Sequence, residues 1–301
     1  MTLSSIAAGT RPSVPLALIG GDVPLATAVQ NALGEIGLLD PPADGQFGAV
    51  SHWALQALLR RLGTPAKAVL DAAVARALLD PARDQVFPLR APATLAGRLV
   101  RAMQARGHWI NRHPDCMNIV YVEGMDRGGT PNDDAPDAFN DLRLLLRINK
   151  AGNPEVVASW EATTEPGTFY TKLHKLDPRG AARIAFGQYK SWVVGTHNNG
   201  KPSAHEALVQ ARDVTVFRDL NQDFEREGDK TFSGVFGINQ HWGFDLPVHA
   251  LGNASAGCLV GRTRQGHREF MALLKADPRY QASHGYRFMT TVMPAADVPA
   301  T

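Results

Sequence analysis

The chain has 301 residues, 44% of them hydrophobic and 20% charged, with a formal net charge of +2. That length exceeds the usual single-domain size, so two domains are expected. The near-neutral balance gives no basic field, and no apolar run reaches the roughly 18 residues that cross a bilayer, so neither a nucleic-acid partner nor membrane insertion is expected.

The opening stretch, MTLSSIAAGTRPSVPLALIGG, lacks a basic region ahead of its apolar residues and is broken by Arg11 and Pro12. It does not read as a signal peptide, and synthesis in the cytoplasm is expected. Residues 1–22 are spotted with Gly, Ser and Pro and read as an arm. After Pro24, Leu25, Val29, Leu33 and Ile36 recur at helical spacing, and Gly37 can end that helix. LLDPPADGQFGAVS carries turn signals. Ser51 can cap a second helix, SHWALQALLRRLG, which Gly63 stops.

This helix–loop–helix, residues 23–63, resembles the peptidoglycan-binding domain attached to many cell-wall enzymes. The resemblance rests on Val29, Gln30, Leu33, Gly37, Leu39, Asp44, Gly45, Phe47, Gly48 and Ala54. The glycines permit left-handed turn geometry and Phe47 plugs a small helical core. Leu58-Leu59 depart from the Phe-Gln often found there. The resemblance implies peptidoglycan as a partner; the plainer reading is a helical bundle without a ligand. Residues 64–111 read as a helical linker region, with AKAVLDAAVARALL and ATLAGRLVRAMQARG as its helices and Pro81, Pro88 and Pro92 as punctuation.

From Met117 the texture changes to short runs rich in Val, Ile, Phe and Tyr: MNIVYVEG, LRLLLRI, EVVASWEA, ARIAFG, SWVVGT, VTVFRD, GVFGIN, GCLVG and YRFMTTVM. REFMALLKAD interrupts them as a helix with Phe270, Leu273 and Leu274 inward. Residues 112–301 therefore read as one mainly-β domain. The expected fold class is α+β, a small N-terminal helical bundle followed by that domain.

The chain holds two cysteines, Cys116 and Cys258, expected as free thiols. Cys258 sits in GNASAGCLVG, where small residues suit a tight turn whose backbone N–H groups can face a developing oxyanion. A thiol nucleophile needs a base or positive field that favours its thiolate, and a thiol so activated should alkylate quickly below neutral pH. His241 lies 17 positions earlier, after the strand-like run GVFGIN, and is the candidate base. His249 and His267 read as surface or structural. The competing reading of Cys258 is a buried structural thiol.

These residues resemble the L,D-transpeptidases of bacterial cell-wall metabolism, which carry His-Gly near a strand end and later Ser-His-Gly-Cys. The resemblance implies an L,D-transpeptidase-like β-rich domain, Cys258 as nucleophile, His241 as base, and Ser255 and Gly257 as the flanking turn. It implies an acyl-enzyme formed on a stem peptide and resolved by an amine or by water. Ala256 stands where the family has His, Trp242 where Gly often follows the base, and Val260 where Arg is usual, with Arg262 two residues on. Trp242, Arg262, Tyr170 and Asn239 are the candidate substrate-binding residues. The partner class is peptidoglycan, reached through a delivery machinery such as a phage lysis or contact-dependent secretion system, with an immunity protein as a further partner. The rival from another class is a non-catalytic peptidoglycan-binding phage or secreted structural protein.

Four further stretches carry candidate ligand or contact residues. Asp219, Asn221, Asp223, Glu225 and Glu227 alternate as calcium ligands can, but Phe224 and Lys230 occupy positions where an EF-hand loop needs Gly and Glu, so a solvated turn is favoured. His197 and His205 flank a Gly/Asn/Pro-rich loop with no third ligand in view, so neither a metal nor a cofactor is expected. Arg183, Gln188 and Tyr189 are candidates for stem-peptide contact, with core packing favoured for Tyr189 and surface placement for Arg183 and Gln188. NDDAPDAFND reads as a solvated acidic loop.

Overall fold

The computed structural model describes residues 1–300. Its helices are α1 Leu3–Ala7, α2 Val23–Ile36, α3 Ala49–Arg61, α4 Ala72–Leu79, α5 Leu95–Ala105, α6 Arg264–Lys275 and α7 Pro278–Ala282. Its strands are β1 Val14–Pro15, β2 Val69–Leu70, β3 Asn118–Glu123, β4 Asp141–Ile148, β5 Pro154–Thr163, β6 Ala181–Ile184, β7 Gly187–His197, β8 His205–Gln210, β9 Val214–Asp219, β10 Lys230–Gly234, β11 Gln240–Trp242, β12 Leu259–Gly261 and β13 Phe288–Pro294. The fold is α+β, with a helical N-terminal unit ahead of a β-rich unit, as the sequence predicts.

In the helical unit, α2 and α3 bury Leu25, Val29, Leu33, Ile36, Leu55 and Leu58 against one another. Gly37 ends α2 in the left-handed conformation at φ 85°, as expected of a C-terminal glycine. Gln30 organises the turn that follows. Its Nε2 donates to Asp44 Oδ1 at 2.8 Å, Gln46 O at 3.0 Å and Ser51 Oγ at 3.1 Å, while its Oε1 accepts the Gly45 N–H at 2.8 Å. Ser51 is therefore not a cap: α3 begins at Ala49 behind Gly48, and the Ser51 hydroxyl serves Gln30 instead. The first 22 residues are built into this core rather than forming a free arm, because Leu3, Ile6, Leu16 and Ile19 are buried with α2 and α3. AKAVLDAAVARALL is split: Val69–Leu70 pair with Val14–Pro15, and α4 starts behind Asp71, whose side chain accepts the Val74 N–H.

Residues beyond 112 form a closed barrel of order β11-β12-β5-β4-β3-β13-β7-β8, with β8 returning to β11. The ladders β11·β12 and β13·β3 are parallel and the other barrel ladders antiparallel. The continuous apolar runs of β3 and β4 follow from burial on both faces. Tyr121 and Leu145 face a core shared with Trp192, Leu259 and Phe288, while Val120, Val122, Leu142 and Leu144 pack under Leu99, Val100 and Met103 of α5. A three-stranded sheet, β10-β9-β6, stands beside the barrel.

The two units are pinned by a buried ionic group. Asp40, 2% exposed, receives Arg279 Nη1 at 2.9 Å and the Tyr286 hydroxyl, with Lys190 Nζ at 3.7 Å. Arg279 is fixed in turn by Asp277 and by the Met117 carbonyl, each at 2.7 Å. Trp109 Nε1 adds a bond to the Gly34 carbonyl at 2.8 Å. No helix is long and apolar enough to cross a membrane.

Candidate active site

The parallel pairing of β11 with β12 brings the nucleophile candidate and the base candidate to one side of the sheet. His241 is the direct partner of Val260. Cys258 precedes Val260 by two residues, so its side chain shares the His241 face under the two-residue strand period. Val260 and Cys258 pack with Phe139, Leu251, Ala254 and Phe244 on the outer side, whereas Leu259 enters the barrel core. His241 and Cys258 both line one cavity of about 710 Å³, together with Tyr170, His197, Lys201 and Arg218 among others.

The turn before Cys258 is set by two residues the sequence singled out. Ser255 is fully buried. Its Oγ accepts the Gly257 N–H at 3.1 Å and donates to the Cys258 carbonyl at 2.9 Å. Gly257 has φ 123°, and a methyl group there would lie 2.4 Å from the Ala182 carbonyl oxygen. Only glycine fits that backbone and that space. Ser255 thus shapes the turn, and its hydroxyl is spent on the backbone. The Cys258 N–H has no hydrogen-bond partner among the described residues and is available to a developing oxyanion.

GVFGIN is not a strand beyond Gly234, the last residue of β10. Gly237, at φ 78°, breaks extended pairing, and the Phe236 and Ile238 N–H groups are taken by Gln210 Oε1. The next residues form β11, so His241 lies within a strand. Its Nδ1 is 2.8 Å from the Trp242 carbonyl, which places the ring proton on Nδ1 and leaves Nε2 as an acceptor. Burial first, and then His197, hold His241 well below the usual histidine pKa. Burial pushes the Cys258 thiol up to about 11, against the Asn239 N–H that lies 3.4 Å from Sγ. The resting pair is therefore a neutral thiol and a neutral imidazole, contrary to the activated thiolate expected from sequence. The thiol proton is directed at the Gly237 carbonyl, 3.5 Å away.

The substrate-binding candidates separate. Tyr170, on a short π-helical turn at Phe169–Leu173, lines the cavity. Asn239 carries the N–H on Sγ, and its side chain reaches His197. Trp242 does not line the cavity; it stacks on His205 with centroids 3.8 Å apart. Arg262 also lies off it, paired with Glu161 and bonded to the Leu246 carbonyl. Arg183 is buried against Glu165, Gln188 ties the Trp109 backbone to Thr291, and Tyr189 bonds the Ala185 carbonyl. His267 is buried between Arg143 and the Glu206 carbonyl. His249 lines a different cavity.

Sequence reasoning missed His197 as a site residue. It ends β7 opposite His205, and its ring stacks on His241 with centroids 3.9 Å apart. Two histidines flanking a turn were the available signal. Of the acidic 219–229 segment, Asp219 is spent on the Gln222 and Phe224 N–H groups. Glu123, Asp134 and Glu165 bring three carboxylates together, but Arg226 holds Glu123 and Arg183 holds Glu165, which disfavours a cation there.

No family model matches the chain, and no curated protein matches it. Among solved structures it is similar to a fused Zn-dependent amidase/peptidase/peptidoglycan-binding domain-containing protein from Clostridium acetobutylicum, at 12% identity, over 94% of this chain and 100% of that one, with a TM-score of 0.30. It is also similar to an L,D-transpeptidase from Xylanimonas cellulosilytica, at 15% identity, over 89% of this chain and 92% of that one, with a TM-score of 0.21. Both likenesses are distant, to cell-wall enzyme folds at most.

Proposed function

We propose that the chain is a cysteine acyl-transfer enzyme, L,D-transpeptidase-like in its chemistry, that modifies the stem peptides of peptidoglycan. The observation that carries this reading is the β11·β12 register, which puts Cys258 and His241 on one strand face opening into one cavity. The helical unit, with its Gln30-braced Asp44-Gly45 turn, is the part that would dock on the polymer.

The free site holds a neutral thiol, so proton transfer accompanies attack. Nε2 of His241 takes the Cys258 proton as Sγ bonds to the peptide carbonyl carbon. The Cys258 N–H faces the oxygen that gains charge. The C–N bond then breaks, the leaving amine takes the proton from His241, and a thioester remains. An incoming amine completes transfer; water completes hydrolysis. Delivery by a lysis or secretion machinery from the cytoplasm to the wall is part of the same proposal.

The test uses purified sacculi incubated with the wild-type chain or with Cys258→Ala, followed by mass spectrometry of the muropeptides. Stem peptides shortened or rejoined by the wild type alone are expected. Identical muropeptides from both, with binding to sacculi retained, would replace this reading with that of a wall-binding structural protein.

A further inference from the structure

Two imidazoles stacked in the cavity wall carry their protons at opposite ends. His241 is protonated on Nδ1, through the Trp242 carbonyl. The ring beside it, His197, lies 14° from parallel. Its tautomer follows from Asn239. Oδ1 of Asn239 accepts the Gln210 N–H at 2.9 Å, so the amide end that faces His197 is Nδ2. Nδ2 is 3.0 Å from His197 Nδ1. An amide NH₂ only donates, so His197 Nδ1 accepts and the proton of the neutral ring sits on Nε2. Burial, with His205 and Lys201 nearby, holds the His197 pKa down at about 4, so the ring is neutral at neutral pH. Nε2 has no hydrogen-bond partner among the described residues, and the ring lines the cavity that Cys258 also lines.

We infer that His197 is a second hydrogen-bonding group of the acyl-transfer site, donating from Nε2 to the carbonyl oxygen of the bound stem peptide while His241 acts as base. This rests on the acyl-transfer reading above. His197 gains and loses no proton in the cycle. Its bond strengthens as Sγ adds to the carbonyl carbon and negative charge collects on the oxygen, and weakens when the C–N bond breaks and the carbonyl returns. Stacking gives a second reason for neutrality. When His241 takes the thiol proton, a neutral ring at 3.9 Å offers its π face to the cation, whereas a protonated one would repel it. Asn239 is a positioning residue: it sets the His197 tautomer through its side chain and meets Sγ through its backbone.

Two variants separate donor from packing. His197→Phe keeps an aromatic ring against His241 and removes the donor. Asn239→Asp keeps shape and backbone but turns the group facing His197 Nδ1 into an acceptor, which moves the ring proton to Nδ1. The substrate is a disaccharide-tetrapeptide muropeptide, with kcat and KM followed by mass spectrometry. Imidazole ¹⁵N spectra report the tautomer independently of turnover, and thermal unfolding confirms that each variant folds. The expected result is an Nε2–H tautomer for His197 in the wild type and a loss of kcat of about 100-fold in both variants, the scale of removing one oxyanion donor, with KM little changed. An Nδ1–H tautomer in the wild type overturns the inference. So does a folded His197→Phe within about threefold of wild-type kcat, while the acyl-transfer reading stands. A wild type that turns over no muropeptide and matches Cys258→Ala overturns both.

Discussion

Gly257 lies so close to Ala182 that a methyl group at position 257 would sit 2.4 Å from the Ala182 carbonyl oxygen. The Cys258 turn is thereby pressed against β6, and its shape depends on a residue that no side chain can replace at φ 123°. Gly257→Ala should cost about 3 kcal/mol or more through the clash and the strained backbone together. Chemical denaturation measures the loss. A variant as stable as wild type would show that the turn can move away from β6.

The titration of Cys258 separates a neutral pair from a preformed ion pair. With the thiol pushed up to about 11, iodoacetamide alkylation should be slow at pH 7 and rise about tenfold per pH unit toward that value. A plateau reached below pH 7 would demand a thiolate–imidazolium pair instead. Because burial holds His241 well below its ordinary pKa, it stays unprotonated as pH falls from 8 through the ordinary histidine range. The His241 contribution to kcat/KM should therefore be flat over that range, and a fall centred near pH 6.5 would contradict its burial.

Asp134 gives a stability prediction whose sign can be worked out. Burial first, and then Glu123, push its pKa up from 3.8 to about 6. Between those values the folded chain holds a proton that the unfolded chain has released, so stability from this group is lost as pH rises through the window. Asp134→Asn removes the titration, and Asn tolerates the positive φ of 50° at this position. The variant should be about 1–3 kcal/mol more stable than wild type at pH 8, with the difference fading toward pH 4. Urea denaturation at the two pH values measures it; equal stability at both would mean that Asp134 ionises freely in the folded chain.

The group joining the two units gives a further measurement. Arg279→Met would leave Asp277 buried without its cation and Asp40 with only Lys190 at 3.7 Å, a change that costs about 3–5 kcal/mol. The helical unit should then unfold at lower urea than the barrel, giving two steps in tryptophan fluorescence and circular dichroism. A single unshifted transition would show that Trp109 and the apolar contacts suffice to join them.

Much of this fold is legible in the residues because its signals are local. The 3.6-residue spacing of Leu25, Val29, Leu33 and Ile36 marks α2, and Gly37 marks its end. The runs NIVYVE and DLRLLLRI mark strands buried on both faces. What escapes is non-local. HEALVQ becomes β8 through pairing with β7 and β11, and nothing within those six residues announces it. GVFGIN has strand composition, but the Gln210 side chain captures its amides from another strand. In the site, Cys258 and the small residues before it are visible because the turn is contiguous. His197 is not, since its place beside His241 depends on β7, β8 and β11 being closed into one barrel. The ordinary activation of a thiol suggested a low pKa; burial reverses the direction, and burial is not written in the nine residues around Cys258.

Asp40 is a hinge pin driven through both halves rather than a tether between them. An enzyme whose anchoring module swings on a loose linker can sample bonds at many distances from its foothold. Here the Asp40–Arg279 contact leaves no such slack. If the helical unit grips the polymer, the bond presented to Cys258 lies at one fixed offset from the grip. Under the proposed function such a molecule would work as a gauge, selecting its target by distance along the mesh as well as by chemistry.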